Sequence, residues 1–185
     1  VVYPAGIKEN AGIFNHTQGW GVIAEIMRGN GDQAYEYLKA ALPAAYNTKA
    51  EVRQSEPYVI GQTTYSTYSP RAGNTRVSWL SGAATWNYYS ITQYMLGIRP
   101  QYNGLLIDPC VKKDWDGFTV ERRWRNKQLY IEVKNPQHVN KGIEYIEVDG
   151  KRIDSTVIPA DSLTNGSKIV AYMGKNALPV TNERL

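Results

Sequence analysis

Near Pro100 the spacing of apolar residues changes from that of a helix to that of a strand, so the chain must divide into a helical half and a β half. Upstream, Trp20, Ile23, Ala24 and Met27 recur at the spacing of one helical face. Gly29 and Gly31 end that helix, and Asp32 is placed to cap a second. The second stripe is Ala34, Tyr35, Leu38, Ala41 and Leu42, and Pro43 stops it. So short a link makes the two helices antiparallel. A third helix is predicted from about Ser81 to Leu96, with Ala84, Tyr88, Ile91 and Met95 on one face and Gly97 as its stop. Between them, residues 44–77 read as a long irregular connection, of the kind that carries function. Downstream, Phe118–Glu121, Leu129–Lys134 and Ile143–Val148 alternate as half-buried strands do. Asp149-Gly150 is a hairpin signal, and Asn126-Lys127 and Asn165-Gly166 read as further turns. Strands at this spacing predict an antiparallel sandwich.

Several classes of function are poorly served by this composition. The net charge is +4 and the pI about 9.0, but Lys and Arg are scattered among acids apart from Lys112-Lys113 and Arg122-Arg123 with Arg125. A nucleic-acid surface needs a denser basic stripe. Two histidines, His16 and His138, and the single Cys110 offer no zinc-type ligand spacing, so no metal is expected. One cysteine cannot make an intrachain disulfide, which fits a cytoplasmic protein. No apolar run reaches the length of a membrane span, and no charged-then-apolar leader opens the chain. There is no phosphate-cradling Gly-rich loop ending in Lys-Ser/Thr, and Ser81 lies in no nucleophile elbow. The chain starts at Val1 with residues that read as mid-domain, so a piece of a longer polypeptide is expected.

What remains are two pairs, Asn15-His16 and Ser81-Gly82, each just before a predicted helix. Unpaired N–H groups and the positive end of the helix dipole make such places a seat for phosphate. A lone histidine there is as a rule structural, but the second pair, set among aromatic and carboxamide residues, shifts the balance toward a site. Sugars are held by aromatic faces, carboxylates and amides, and Glu9, Trp20, Glu56, Tyr58, Gln62, Tyr65 and Trp79 supply that mix. Glu9 and Glu56 read equally well as solvated carboxylates. For Trp20 and Trp79 core packing is the favoured reading, and Gln62 would serve equally to close a turn.

The runs Asn15-His16-Thr17-Gln18-Gly19-Trp20, Pro43-Ala44-Ala45-Tyr46-Asn47, Ala50-Glu51-Val52-Arg53, Glu56-Pro57-Tyr58-Val59 and Ser78-Trp79-Leu80-Ser81-Gly82 resemble the inverting glycoside phosphorylases of the cellobiose and chitobiose phosphorylase family. Leu96-Gly97-Ile98-Arg99-Pro100 and Ile107-Asp108-Pro109-Cys110 continue the likeness, which weakens after about Pro136. The resemblance implies an α+β chain: residues 1–103 as the terminal helices of an (α/α)6 catalytic barrel, and 104–185 as a C-terminal antiparallel β-sandwich domain without catalytic residues. It implies phosphate contacts at His16, Ser81 and Gly82, with Ser81 in place of the family's threonine, and sugar contacts at Glu9 and Gln62. The family's general-acid aspartate lies upstream of these motifs. Asp32, Asp108, Asp114 and Asp116 do not take its place, so the chain alone is expected to be inactive.

The implied reaction cleaves a β-linked disaccharide with inorganic phosphate to an α-sugar 1-phosphate, with cellobiose favoured and chitobiose next. An inverting hydrolase needs a base to activate water, whereas phosphate is already a nucleophile and needs only to be held in place against one acid. No cofactor is implied. The expected partners are a small sugar, phosphate, the remainder of the same enzyme and a second copy in a homodimer, with neither nucleic acid nor membrane among them. The alternative from another class is a noncatalytic carbohydrate-binding or structural module.

Overall fold

The computed structural model describes residues 2–180, so the outermost residues of both predicted domains lie outside it. Its helical part contains β1 (Ile13–Phe14), a three-ten turn (Asn15–Thr17), α1 (Gln18–Met27), α2 (Gly31–Ala41), a kinked three-ten segment (Pro43–Lys49) and α3 (Ala50–Arg53). These are followed by β2 (Thr63–Thr64), β3 (Thr75–Arg76) and α4 (Ala83–Tyr89), which a π-helical segment (Ser90–Met95) continues. The strands after it are β4 (Ile98–Pro100), β5 (Gly104–Ile107), β6 (Gly117–Trp124), β7 (Lys127–Lys134), β8 (Ile143–Val148), β9 (Lys151–Ile153), β10 (Val157–Pro159) and β11 (Lys168–Met173). The chain is thus mixed helix and sheet. It forms two compact units: the chain up to Ala24 with Ala34–Ser90, and Glu25–Gln33 with the chain from Ile91 onward.

In the first unit, β1, β2 and β3 make a small antiparallel sheet in that order, with Phe14 opposite Thr63 and Thr63 opposite Arg76. α1 meets α4 where Gly19 lies against the backbone of Trp86; a Cβ there would fall 2.9 Å from the Trp86 carbonyl carbon. That close approach decides which side of α1 is buried. Gly19 and Val22 turn inward with Ile26, and Trp20 and Met27, expected on the buried stripe, are 49% and 74% exposed. On α4 the expected face is likewise displaced: Ala83, Asn87 and Ser90 are buried while Ala84 and Tyr88 face out. The unit's buried set mixes Val22, Ala34, Leu38, Val59, Tyr65 and Ala83 with Thr63, Asn74, Thr75, Asn87 and Ser90, a thin and polar core.

The predicted third helix changes type midway for a local reason. Asn87 Nδ2 donates to the Ala83 carbonyl and Ser90 Oγ to the Asn87 carbonyl, both at 2.8 Å, so side chains compete for the helix's own acceptors. The ladder widens, and the Leu96 N–H reaches back five residues to Ile91. Gly97, at φ +66°, then stops it as expected. At the second helix, Asn30 rather than Asp32 provides the cap, its Oδ1 accepting from the Gln33 N–H. Asp32 instead accepts the Lys113 N–H at 3.0 Å.

The second unit carries the apolar core. Its five-stranded sheet runs β6-β7-β11-β8-β9, and a smaller antiparallel sheet runs β10-β5-β4. Leu129, Ile131 and Val133 of β7 point inward between outward Tyr130 and Glu132, and β5 is buried along its whole length. The hairpin at Asp149-Gly150 forms with both residues at positive φ, while the turn expected at Asn126-Lys127 falls one residue earlier, at Arg125-Asn126. One pairing departs from the all-antiparallel expectation: β11 runs parallel to β7 and antiparallel to β8, filling the gap between them. Residue alternation marks a strand but not its neighbour, so a strand inserted from later in the chain is invisible to it. The alternation of β8 is also broken by a bulge: Tyr172 faces Tyr145 and Met173 faces Ile143, so Ile143 and Ile146 are both buried. Asp108 is a core ion-pair residue, accepting from Arg99 at 2.9 Å and Lys141 at 3.2 Å. Cys110 is fully buried beside it, and burial pushes its thiol up to about 11.

Candidate functional site

The candidate residues come from separate stretches of the first unit, and the small sheet is what gathers them. Its ladder runs one step past the paired strands: Gln62 accepts the Asn15 N–H at 2.8 Å and donates its own N–H to the Val77 carbonyl at 3.1 Å. Asn15, Gln62 and Val77 therefore meet at one end of the sheet, one residue before His16 and four before Ser81. Asn15 locks the junction, its Nδ2 donating to the Gly61 carbonyl at 3.0 Å and to Thr64 Oγ1 at 3.1 Å.

His16 stands in the three-ten turn, half-buried, its ring edge-on to Phe14 at 5.9 Å and to Trp20 at 6.0 Å. Trp20 meets Trp86 edge-on at 5.5 Å, and Trp86 lies beside Gly82. The two indoles are thus the packing that joins the His16 turn to the start of α4. Ser81 Oγ accepts the Ala83 N–H at 2.8 Å in the turn just before α4, and the hydroxyl keeps its own proton to donate. Gly82 has an ordinary φ of −74°, and a Cβ added to it would meet nothing nearer than Trp86 Cδ1 at 3.6 Å. The fold of this chain makes no demand for glycine there.

Glu9 and Gln62 are joined through Lys8. The turn around them is held by the Gly6 N–H on the Asn10 carbonyl (2.7 Å) and the Gly12 N–H on the Lys8 carbonyl (2.9 Å), with Lys8 and Ala11 both at positive φ. Lys8 Nζ donates to Gln62 Oε1, and Glu9 is exposed at the next position. Gly6 docks this turn on Ser69, so closely that a Cβ would lie 2.5 Å from the Ser69 nitrogen.

Sequence reasoning misses two features. One is Lys8, and its place directly before Glu9 is the signal that points to it. The second is the approach to Ser81. Val77 and Trp79 are left-handed, at φ +57° and +66°, and Glu56 accepts from Ser78 Oγ at 3.0 Å and from Trp79 Nε1 at 3.1 Å. Hydrogen bonds from its own backbone N–H, from Ser78 and from Trp79 hold the Glu56 carboxyl below the usual range. Trp79, expected in the core, is 72% exposed and tilts against Tyr58 at 6.0 Å. A left-handed Val or Trp has no residue signature, so no reading of composition finds this loop.

A cavity of about 510 Å³ in the same unit is lined by Asn15, Tyr46, Lys49, Arg53, Thr64 and Tyr65, among others. It borders the junction through Asn15, Gly61 and Thr64, and neither His16 nor Ser81 lines it. Among the described residues no group of three or more His, Cys, Asp or Glu is arranged to hold a metal ion. No helix among them is long and apolar enough to cross a membrane.

Comparison with known proteins follows the same stretch of chain. Residues 1–97 match the model of the glycosyl hydrolase 94 superfamily catalytic domain. The N,N'-diacetylchitobiose phosphorylase of Vibrio proteolyticus is 36% identical over 169 residues, covering 91% of this chain and 21% of that protein. That of Vibrio furnissii is 37% identical over the same length, covering 91% and 21%. The solabiose phosphorylase of Paenibacillus borealis is 30% identical over 162 residues, covering 86% and 21%. The chain spans about a fifth of the length of these curated relatives.

Proposed function

This chain belongs to the glycosyl hydrolase 94 superfamily, and from that premise we propose that it is the phosphate-side part of a phosphorylase that cleaves a β-linked disaccharide with inorganic phosphate. In this reading residues 1–103 supply terminal helices of an (α/α)6 barrel and 104–185 a β-sandwich domain. His16, Ser81 and Gly82 hold the phosphate, and Glu9 and Gln62 contact the sugar. The observation that supports the proposal is the end of the small sheet, where Gln62 is bonded to Asn15, the neighbour of His16, and to Val77, four residues before Ser81. Gly82 adds to it: a glycine that neither backbone nor packing requires is accounted for by a ligand that must approach the main chain closely.

The chemistry follows from those donors. Phosphate attacks the anomeric carbon from the face opposite the leaving sugar, so the configuration inverts and the product is an α-sugar 1-phosphate. The His16 imidazole, the Ser81 hydroxyl and the Gly82 N–H hold the phosphate oxygens while a carboxylic acid elsewhere in the enzyme protonates the leaving oxygen. Preorganised donors replace the general base of a hydrolase, because the nucleophile arrives already ionised. Neither cofactor nor metal enters this scheme, and the partners are the sugar, the phosphate and the remainder of the enzyme. Sequence alone favours cellobiose; the relatives named as chitobiose phosphorylases move our preference to an N-acetylglucosamine disaccharide.

In the full-length enzyme, phosphorolysis of N,N'-diacetylchitobiose and of cellobiose should be compared, with the released sugar 1-phosphate and its anomer identified by NMR. His16→Ala is expected to raise the phosphate KM by about tenfold or more. A phosphate dependence unchanged by that substitution removes His16 from the site. Release of free sugar without any phosphate requirement overturns the phosphorylase reading.

A further inference from the structure

We propose that Glu56 is a positioning residue for the phosphate cradle: its carboxylate holds the left-handed Val77–Trp79 segment that sets where Ser81 and Gly82 lie. The proposal rests on the phosphorylase reading and assigns to that same site a residue that acts through Ser78 and Trp79.

Left-handed backbone is costly for any residue with a Cβ, and most of all for a β-branched or bulky one. Val77 and Trp79 both adopt it, on either side of Ser78. Such a conformation persists only where its surroundings over-determine it. Three bonds do so here: Gln62 N–H to the Val77 carbonyl, Ser78 Oγ to Glu56 Oε2, and Trp79 Nε1 to Glu56 Oε1. Two of the three end on one carboxylate, and they take one oxygen each. Glu56 is itself fixed from behind. Arg53 donates from Nη1 to the Glu56 carbonyl at 2.8 Å and from Nη2 to the Val59 carbonyl, and the Val59 N–H closes the turn onto Glu56 at 3.1 Å.

The chain that leaves this clamp reaches Ser81 after one intervening residue, Leu80. Ser81 then accepts the Ala83 N–H, a local turn that leads the chain into α4. The segment from Val77 to Ala83 therefore runs from the Glu56 clamp into the start of α4, and its path depends on the bond that Trp79 donates to Glu56. Trp79 has no packing reason for its pose, being largely exposed; the bond to Glu56 and the tilted contact with Tyr58 are what orient it. Loss of the carboxylate would let Val77 and Trp79 relax toward ordinary φ and displace the hydroxyl and amide that follow. A misplacement of about 1 Å is enough to weaken a preorganised contact by one to two orders of magnitude.

The test is steady-state kinetics on the full-length phosphorylase carrying Glu56→Gln, which keeps the shape but removes the charge and one of the two acceptor oxygens, so that the charge-assisted bonds to Ser78 and Trp79 cannot both persist. The phosphate KM is expected to rise about tenfold while the disaccharide KM stays within about twofold. Trp79→Phe, which keeps an aromatic side chain and removes the single N–H, should give a smaller rise in the same parameter. Adding Glu56→Gln to Ser78→Ala/Trp79→Phe should then add little, because the bonds it breaks are already gone. A directly observed change belongs with this: the Trp79 indole N–H resonance should move upfield in Glu56→Gln. A lowered melting temperature with an unmoved phosphate KM in both Glu56→Gln and Trp79→Phe makes the clamp merely structural and overturns the proposal. Equal rises in both KM values overturn it as well. If the wild-type enzyme shows no phosphate requirement, both this proposal and the functional reading fall; if the requirement is intact and only the variants are silent, this proposal alone falls.

Discussion

Two glycines a few turns apart show how differently one residue type is used. Gly19 is a packing glycine: a methyl group there would sit 2.9 Å from the carbonyl carbon and oxygen of Trp86, main-chain atoms that cannot swing aside. Gly82 meets only ordinary contacts and has ordinary backbone angles. Gly19→Ala is therefore expected to push α1 off α4 and destabilise the protein by about 1–3 kcal/mol, the usual cost of overpacking. Gly82→Ala should leave the unfolding midpoint within experimental error, since alanine suits a helix start at that φ. In the full-length enzyme it should nevertheless raise the phosphate KM by about tenfold, because a methyl group blocks the approach to the N–H. Thermal unfolding paired with phosphate titration separates the two. A stability loss at Gly82 with no change in phosphate dependence would put its role in the fold instead.

At the scale of elements, the last described strand carries the most weight. β11 is bonded on one side to β7 and on the other to β8, so it joins what would otherwise be two separate hairpins. Its Ile169, Ala171 and Met173 are buried and its Val170 and Tyr172 face outward. A charge at the centre of the inward row has no partner, and burying one costs several kcal/mol. Ala171→Asp is expected to unfold the second unit or lower its stability by more than about 3 kcal/mol, read from urea unfolding by circular dichroism. Val170→Thr, on the outer face of the same strand, should cost less than about 1 kcal/mol. That outer face is held by a stack in which Arg152 covers Tyr145 at 4.3 Å, Tyr145 lies on Tyr172 at 4.4 Å, and Lys134 covers Tyr172 at 5.5 Å. The stack bridges β8 and β11 beside the bulge, where the ladder itself is weakest.

For the molecule taken whole, the two units differ in how far they satisfy themselves. The second has an aliphatic core; the first has a thin one and exposes Trp20, Tyr58, Tyr68, Trp79, Leu80 and Tyr88. Aromatic side chains are enriched where a protein surface meets a partner. Residues 1–185 purified alone are expected to bind a hydrophobic dye, to self-associate at micromolar concentration and to form no sugar 1-phosphate, and co-expression with the rest of a barrel should abolish the dye binding. A soluble monomer that turns over disaccharide would sink that expectation. The sequence by itself determined the divide between helical and β halves, the positions of α2, β7 and the Asp149-Gly150 hairpin, and the family. These follow from periodicity, from turn chemistry and from linear motifs, all of which are local. Only the tertiary structure decided which face of α1 is buried, that β11 enters between β7 and β8, and that Gln62 is bonded to both Asn15 and Val77. It alone revealed the Glu56 clamp on a left-handed Val77 and Trp79. The reason is physical: a close helix approach, a strand inserted from later in the chain and a backbone held against its own preference are imposed by partners distant in sequence, and leave no mark on the residues that obey them.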